Sequence, residues 1–333
     1  MEVVASAGNG QAAIDSLRKN SVDVIVLDIE MPVLDGLSAL PKLLEIDPTV
    51  KIVMASTLTV ANADISLRAL AKGAADYVAK PTSTAELHSA DDFKRELSAK
   101  VIALAGARRR VSVKRERTPA VLKSPGLKAG PFGIRTPSRL PPTILAVGSS
   151  TGGPQALMTF IKGLGTDFSL PIVVTQHMPA TFTAILAKHL TENSGRKFCE
   201  AKDGDRIEPG RGYVAPGDYH MLIVPGAAGL VVKLTDTAPE NFCRPSVDPM
   251  LRSLIETHGA KALVVILTGM GHDGLEGARG IVDAGGTVIA QDEETSVVWG
   301  MPGAVTMAGV CAAVLPLNSL AGRVRQLCGK AGS

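Results

Sequence analysis

The chain has 333 residues, 45% of them apolar, 20% charged and only 3% aromatic, values that exclude wholesale disorder and point to two globular domains with cores of Val, Ile, Leu, Ala and Met. Its longest unbroken apolar run, residues 262–267, is far too short to span a bilayer, so a cytoplasmic protein with no membrane insertion is expected. The formal net charge is +3 and the four cysteines are widely spaced, which argues against a globally basic nucleic-acid binder, a zinc site and a disulfide framework; buried free thiols are expected instead.

From the amino end, short β-branched runs alternate with amphipathic helical patterns. MEVVASA, DVIVLDI, KIVMAS and ADYVAK read as buried parallel strands; GQAAIDSLRKN, GLSALPKLLEI, ISLRALAKG and DDFKRELSAKVIALAG read as helices. A repeated βα period predicts a doubly wound α/β sheet. Asp28 closes one strand, Ser56 the next and Lys80 the last. A carboxylate, a hydroxyl and an ammonium at neighbouring strand ends could hold a phosphoryl group, where open α/β sheets bind ligands.

LDIEMPVLDG, VMAST and DYVAKP resemble a response-regulator receiver domain, flavodoxin-like in fold, over residues 1–104. The resemblance implies Asp28 as phospho-acceptor, Ser56 and Tyr77 as switch residues, Lys80 as the conserved lysine of the family, Mg2+ as the ion for phosphorylation and a chemotaxis histidine kinase as phosphodonor. Receivers open on a strand ending in an acidic pair that binds the magnesium, whereas this sequence opens on what resembles the second strand. A strand and a helix, roughly 30 residues by the size of a βα repeat, are therefore expected to be missing. The receiver is read as N-terminally incomplete and poorly able to use Asp28.

Between Arg108 and Arg139 ten basic residues face one acid, a net +9 that leaves −6 for the rest of the chain. With prolines at 119, 125, 131, 137, 141 and 142, residues 105–141 read as a flexible basic linker. Phe132 is its one aromatic, too few for a stacking platform on RNA.

Strand and helix alternation resumes in residues 142–333 with ILAVGSS, a helix over 155–162, IVVTQH, a helix over 184–189, ALVVILTG, a helix over 275–283, and TVIAQD. A Rossmann-like second domain follows. Gly148-Ser149-Ser150-Thr151-Gly152 is a G-x-S-x-G on a strand-to-helix turn, the context of a nucleophile elbow; a purely structural glycine-rich turn explains the pentapeptide about as well. His177 is the histidine at a strand end and Asp273 the acid at another, so three strand ends offer Ser150, His177 and Asp273. That order differs from the Ser, Asp, His of α/β-hydrolases.

GSSTGGPQAL, TQHMPATFT, YVAPGDYHM, RPSVDPML, LTGMGHDGLEG and AQDEETSVVWGMPGAV resemble the catalytic domain of the CheB-type chemotaxis protein-glutamate methylesterase and glutaminase. The resemblance implies Ser150 as nucleophile, His177 as general base, Asp273 as its orienter, and the backbone N–H groups of Thr151 and Met270 as an oxyanion hole. Arg244 and Met301 match the family with packing or loop-bracing roles. Methyl-accepting chemoreceptors are the implied substrates, no cofactor is implied for catalysis, and the chain is expected to be a monomer. A non-catalytic regulator would have lost one of the three catalytic residues, and a DNA-binding regulator would carry a helix-turn-helix after the linker.

Overall fold

The structure, a computed structural model, describes residues 1–57, 59–80, 87–116 and 133–329, and divides into two compact units, Met1–Ser124 and Pro125–Ser333. In the first unit β1 (Val24–Asp28), β2 (Lys51–Thr57) and β3 (Asp76–Lys80) form a parallel sheet in that order. Helices α1 (Gly10–Leu17), α2 (Gly36–Ile46), α3 (Val60–Ala71) and α4 (Leu87–Glu116) alternate with them. The first three begin where a polar side chain satisfies an orphan amide: Asn9, Asp35 and Thr59 accept from the N–H groups of Ala12, Ser38 and Asn62. β2 has a neighbour on each side and is almost wholly buried.

Residues 1–7, expected as a strand, are extended but unpaired and exposed. A strand needs a ladder partner to satisfy its backbone. Among the described residues β1 pairs only with β2, and no strand lies beside it to receive residues 1–7. Val26 on β1 is correspondingly 45% exposed.

Two stretches of the segment read as linker, residues 105–116 and 133–141, belong to the two units. Helix α4 continues through Glu116, because nothing between Gly106 and Pro119 breaks it, and its basic residues are used: Arg108 pairs with Asp47 at 2.6 Å and Arg109 with Asp23 at 2.7 Å. Residues 117–132 lie outside the described residues. Residues 135–138 are fastened to the second unit, where the N–H of Arg135 donates to the Cys311 carbonyl and that of Ser138 to Thr287 Oγ1, each at 2.9 Å.

The second unit is built on seven parallel strands: β4 (Ile144–Ser149), β5 (Ile172–Gln176), β6 (Phe198–Glu200), β7 (Gly212–Val214), β10 (Ala262–Ile266), β11 (Thr287–Gln291) and β12 (Ala313–Leu315). Their order is β12-β11-β10-β4-β5-β7-β6, and a separate antiparallel hairpin, β8 (His220–Gly226) with β9 (Gly229–Thr235), interrupts the alternation. Helices α5 (Gly153–Leu164), α6 (Ala180–Ser194), α7 (Val247–Thr257), α8 (Leu275–Asp283), α9 (Met301–Met307) and α10 (Leu317–Gly329) complete the unit. β4, β5, β10 and β11 are buried along their whole lengths, which is why they read as continuous apolar runs.

The chain runs outward from β4 to one edge and returns on β4's other side as β10. The direction of winding therefore reverses between β4 and β10, and the carboxyl ends of β4, β5 and β10 surround the crevice such a reversal opens. No helix among the described residues is long and apolar enough to cross a membrane.

Candidate active site

Ser150 stands between β4 and α5, on the turn the sequence pattern anticipates. Its N–H donates to the Thr268 carbonyl at 3.0 Å and its carbonyl accepts from the Gly153 N–H at 2.7 Å, so the turn is closed on both sides. Gly152 has φ +75°, a left-handed conformation, and a Cβ there would come within 2.5 Å of Val297. At Gly153 a Cβ would lie 2.0 Å from Gln176 Oε1. Only glycine lets the elbow close against these neighbours.

Gln176, at the end of β5, locks the turn to the adjacent strand. Its Oε1 accepts from Ser149 Oγ at 2.7 Å, and its Nε2 donates to the carbonyls of Ser150 at 3.0 Å and His177 at 3.1 Å. The His177 N–H in turn donates to the Ser149 carbonyl at 3.1 Å. Nucleophile candidate and base candidate are thus fixed to each other through backbone, before their side chains are considered.

Asp273 lies in the loop after β10 and is 2% exposed. Its Oδ2 accepts from His177 Nε2 at 2.7 Å and from the Val247 N–H at 2.6 Å. Its Oδ1 accepts from Ser246 Oγ at 2.7 Å, Asn241 Nδ2 and the Gly274 N–H at 2.9 Å, and the Asp248 N–H at 3.2 Å. Val247 and Asp248 open α7, so the carboxylate caps that helix and lies at the positive end of its dipole. Burial alone would raise the Asp273 pKa; the hydrogen bond and charge of His177, with the Val247 and Ser246 donors, outweigh it and hold the group well below the usual carboxylate range. Asp273 is an anion here.

With Nε2 committed to Asp273, His177 has only Nδ1 to offer a nucleophile. That nitrogen meets Cys243 Sγ at 3.3 Å, and no hydrogen bond joins it to Ser150 Oγ. Burial alone would lower the His177 pKa, but the Cys243 sulfur and the Asp273 carboxylate reverse this and push it up to about 10. The expectation of buried thiols needs correction at this position: Cys311 is buried, whereas Cys199, Cys243 and Cys328 are partly exposed. A cysteine following two residues of positive φ, Asn241 and Phe242, is turned toward the histidine by a loop whose shape no sequence periodicity reports.

Among the described residues the backbone N–H groups of Thr151 and Met270 meet no protein acceptor, and Thr151 Oγ1 is buried with no partner. Met301 packs its sulfur against Gly269, where a Cβ would meet it at 2.3 Å and Ser150 Cβ at 2.9 Å; the loop carrying Met270 is therefore pressed against the serine. Arg244 braces the 236–244 loop by donating to the carbonyls of Asp236 and Thr237. His220 accepts the Ser246 N–H on Nδ1 at 3.1 Å, a supporting place behind α7.

In the first unit Asp28 and Lys80 close β1 and β3, while β2 runs one residue past the expected Ser56 and closes on Thr57, which pairs with Lys80. Lys80 Nζ is 2.5 Å from Asp28 Oδ2, and the Glu30 N–H donates to Asp28 Oδ1 at 3.2 Å. Ser56 is buried and donates to the carbonyls of Thr57 and Asn62. Tyr77 lies under α4 with Lys100 Nζ 5.1 Å from its ring centre, and burial raises its pKa far above the ordinary phenol value.

Residues 145–324 match the CheB methylesterase family and residues 1–91 the response regulator receiver domain. The protein-glutamate methylesterase/protein-glutamine glutaminase of Azospirillum brasilense is 53% identical, covering 99% of this chain and 87% of that one. The group 2 operon protein of the same name from Rhodospirillum centenum is 55% identical over 99% and 88% of the two chains. The CheB methylesterase catalytic domain of Thermotoga maritima, a solved crystal structure, is 41% identical with a TM-score of 0.55, covering 56% of this chain and all of that one.

Gln176 is 2% exposed, and Leu at that position would leave the Ser149 hydroxyl and two carbonyls without their partner. Gln176→Leu is expected to lower stability by about 2 kcal/mol in urea unfolding, the desolvation penalty of buried unpaired groups. A loss under about 0.5 kcal/mol, the scale of surface substitutions, would show that Gln176 does not hold the turn.

Proposed function

The chain belongs to the CheB methylesterase family, with a response-regulator receiver domain ahead of the catalytic one, and from that premise we propose that it hydrolyses glutamate γ-methyl esters, and deamidates glutamines, on chemoreceptors through an acyl-enzyme at Ser150. The observation that carries the mechanism is the 2.7 Å bond between His177 Nε2 and the buried Asp273 carboxylate, beside the Ser150 turn. This bond orients the imidazole and stabilises the imidazolium that forms when a proton is taken.

Ser150 Oγ attacks the ester carbonyl and His177 Nδ1 accepts its proton. The Ser150 hydroxyl must then replace the Cys243 sulfur at Nδ1 as substrate enters, which removes the foremost influence raising the His177 pKa and frees Nδ1 to take a proton. Negative charge on the carbonyl oxygen is met by the N–H groups of Thr151 and Met270, both without a protein acceptor among the described residues. His177 returns the proton to methanol, and water completes hydrolysis by the same route. With a glutamine substrate the leaving group is ammonia, which must be protonated as it departs and so depends more heavily on His177.

In the receiver, Asp28 with Lys80 as its counter-charge stands at the position where receivers accept a phosphoryl group from a histidine kinase, and we propose that the residues present in this chain do not suffice for it to accept one. The magnesium that receivers use does not fit the residues present. Asp28 is the one carboxylate that ends a strand among the described residues of the first unit, Glu30 Oε1 accepts from Asn62 at 3.2 Å, and no group of three His, Cys, Asp or Glu side chains able to hold a metal occurs among the described residues. No step through the ion is derived.

Ser150→Ala is expected to abolish methanol release from methylated receptor while leaving the unfolding midpoint in place, since it removes the attacking oxygen and little volume. Asp273→Asn is expected to cost on the order of 10³ to 10⁴ in turnover through loss of the correct histidine tautomer. Near-normal methanol release from Ser150→Ala would overturn the assignment of the nucleophile. For the first unit, incubation of the 333-residue chain with a small phosphodonor and magnesium is expected to give negligible labelling at Asp28. Stoichiometric phosphorylation by intact mass would contradict the reading of that site.

A further inference from the structure

Cys243, His177 and Asp273 form a continuous relay: Sγ to Nδ1 at 3.3 Å, then Nε2 to Oδ2 at 2.7 Å. A thiol, an imidazole and a carboxylate in this order are what a thiol nucleophile requires. The relay is built onto the loop rather than swept into it. Glu240 and Cys243 exchange backbone bonds of 3.1 and 2.8 Å, Asn241 ties the turn to Asp248 and Asp273, and Arg244 ties its other end to Asp236 and Thr237. Phe242, at φ +63°, is thrown outward and is 90% exposed, which leaves its neighbour's sulfur directed inward at the base.

The other three cysteines lack this arrangement. Cys199 bonds to the Gly212 carbonyl and burial raises its pKa; burial pushes the thiols of Cys311 and Cys328 up to about 12 and about 11. None of the three has a histidine as its hydrogen-bond partner among the described residues. Reactivity toward disulfides follows thiolate character and access, and only Cys243 combines partial exposure with an adjacent base.

We propose that Cys243 is a thiol–disulfide exchange site whose base is His177, and that capping its sulfur with a low-molecular-weight disulfide switches off ester hydrolysis at Ser150. The proposal rests on the reading of His177 as the base for Ser150. In the exchange the Cys243 S–H bond breaks and its proton is taken up at His177 Nδ1, the sulfur bonds to one sulfur of the disulfide as the S–S bond breaks, and the other sulfur leaves as a thiolate that receives that proton. No oxidant beyond the disulfide is consumed. The capped sulfur then occupies the one nitrogen that the Ser150 hydroxyl must reach, and a thiol reductant reverses it.

The test treats the full chain with methyl methanethiosulfonate, a small thiosulfonate that transfers a methylthio group and releases methanesulfinate. Peptide mass mapping is expected to place the first methylthio group on Cys243, ahead of the other three cysteines, with methanol release from methylated receptor falling on the order of tenfold or more in step with it and returning with dithiothreitol. In Cys243→Ser, whatever activity that variant possesses is expected to be unchanged by the reagent. His177→Gln is expected to slow Cys243 labelling on the order of tenfold, a readout independent of esterase activity. Inactivation that persists in Cys243→Ser, full capping of Cys243 without loss of methanol release, or unchanged labelling in His177→Gln would each overturn the proposal. Failure of the underlying acyl-transfer reading is separately visible, as methanol release retained by Ser150→Ala.

Discussion

A carboxylate 2% exposed stays ionised only if donors replace the water it has lost, and Asp273 is held by six: two side chains and three backbone N–H groups besides His177. Those donors come from the 241–248 segment, from the residue after Asp273 itself and from the end of β5. The anion therefore gathers the α7 N-terminus, the β10 loop and the β5 loop around one point. Asp248 shares the arrangement, accepting from Asn241 at 3.0 Å and the Gly277 N–H at 2.7 Å; burial raises its pKa, the Gly277 bond opposes that, and the Asp273 charge adds to it. Of the two carboxylates, the one facing His177 is held as the anion.

The sheet makes this convergence possible. β4 pairs with β5 on one side and β10 on the other, in register along whole strands, so the loops that follow all three open on the same edge. Thr268 stitches the edge together, with Oγ1 donating to the Thr151 carbonyl at 2.9 Å and its N–H to Gln291 Oε1 at 2.8 Å. Chemistry placed on three loops thereby inherits the rigidity of four strands, β4, β5, β10 and β11.

The parts legible in the sequence are those governed by short-range pattern. Continuous apolar runs announced the buried strands, and the residues singled out by the G-x-S-x-G turn, the strand-end histidine and the glycine-flanked Asp273 lie at neighbouring strand ends, His177 and Asp273 in contact. Contacts between segments distant in sequence were not legible. No sequence pattern singles out Gln176 or Ser246, yet the amide of the first bridges two strand ends and the hydroxyl of the second donates to Asp273. The relation of Cys243 to His177 spans 66 residues and depends on two left-handed residues that carry no glycine signature. Residues 1–7 failed for the complementary reason: their composition suits a strand, but pairing decides, and no partner is present beside β1 among the described residues.

The same histidine nitrogen faces a cysteine in the resting site and must face a serine in the proposed reaction, so the central claim is which oxygen or sulfur becomes acylated. Labelling the full chain with a fluorophosphonate, which phosphonylates an activated nucleophile and stays there, followed by peptide mass mapping, measures this directly. The account predicts a single phosphonyl group on Ser150 whose formation is lost in His177→Gln. A phosphonyl group on Cys243 or on another residue in place of Ser150 would contradict it.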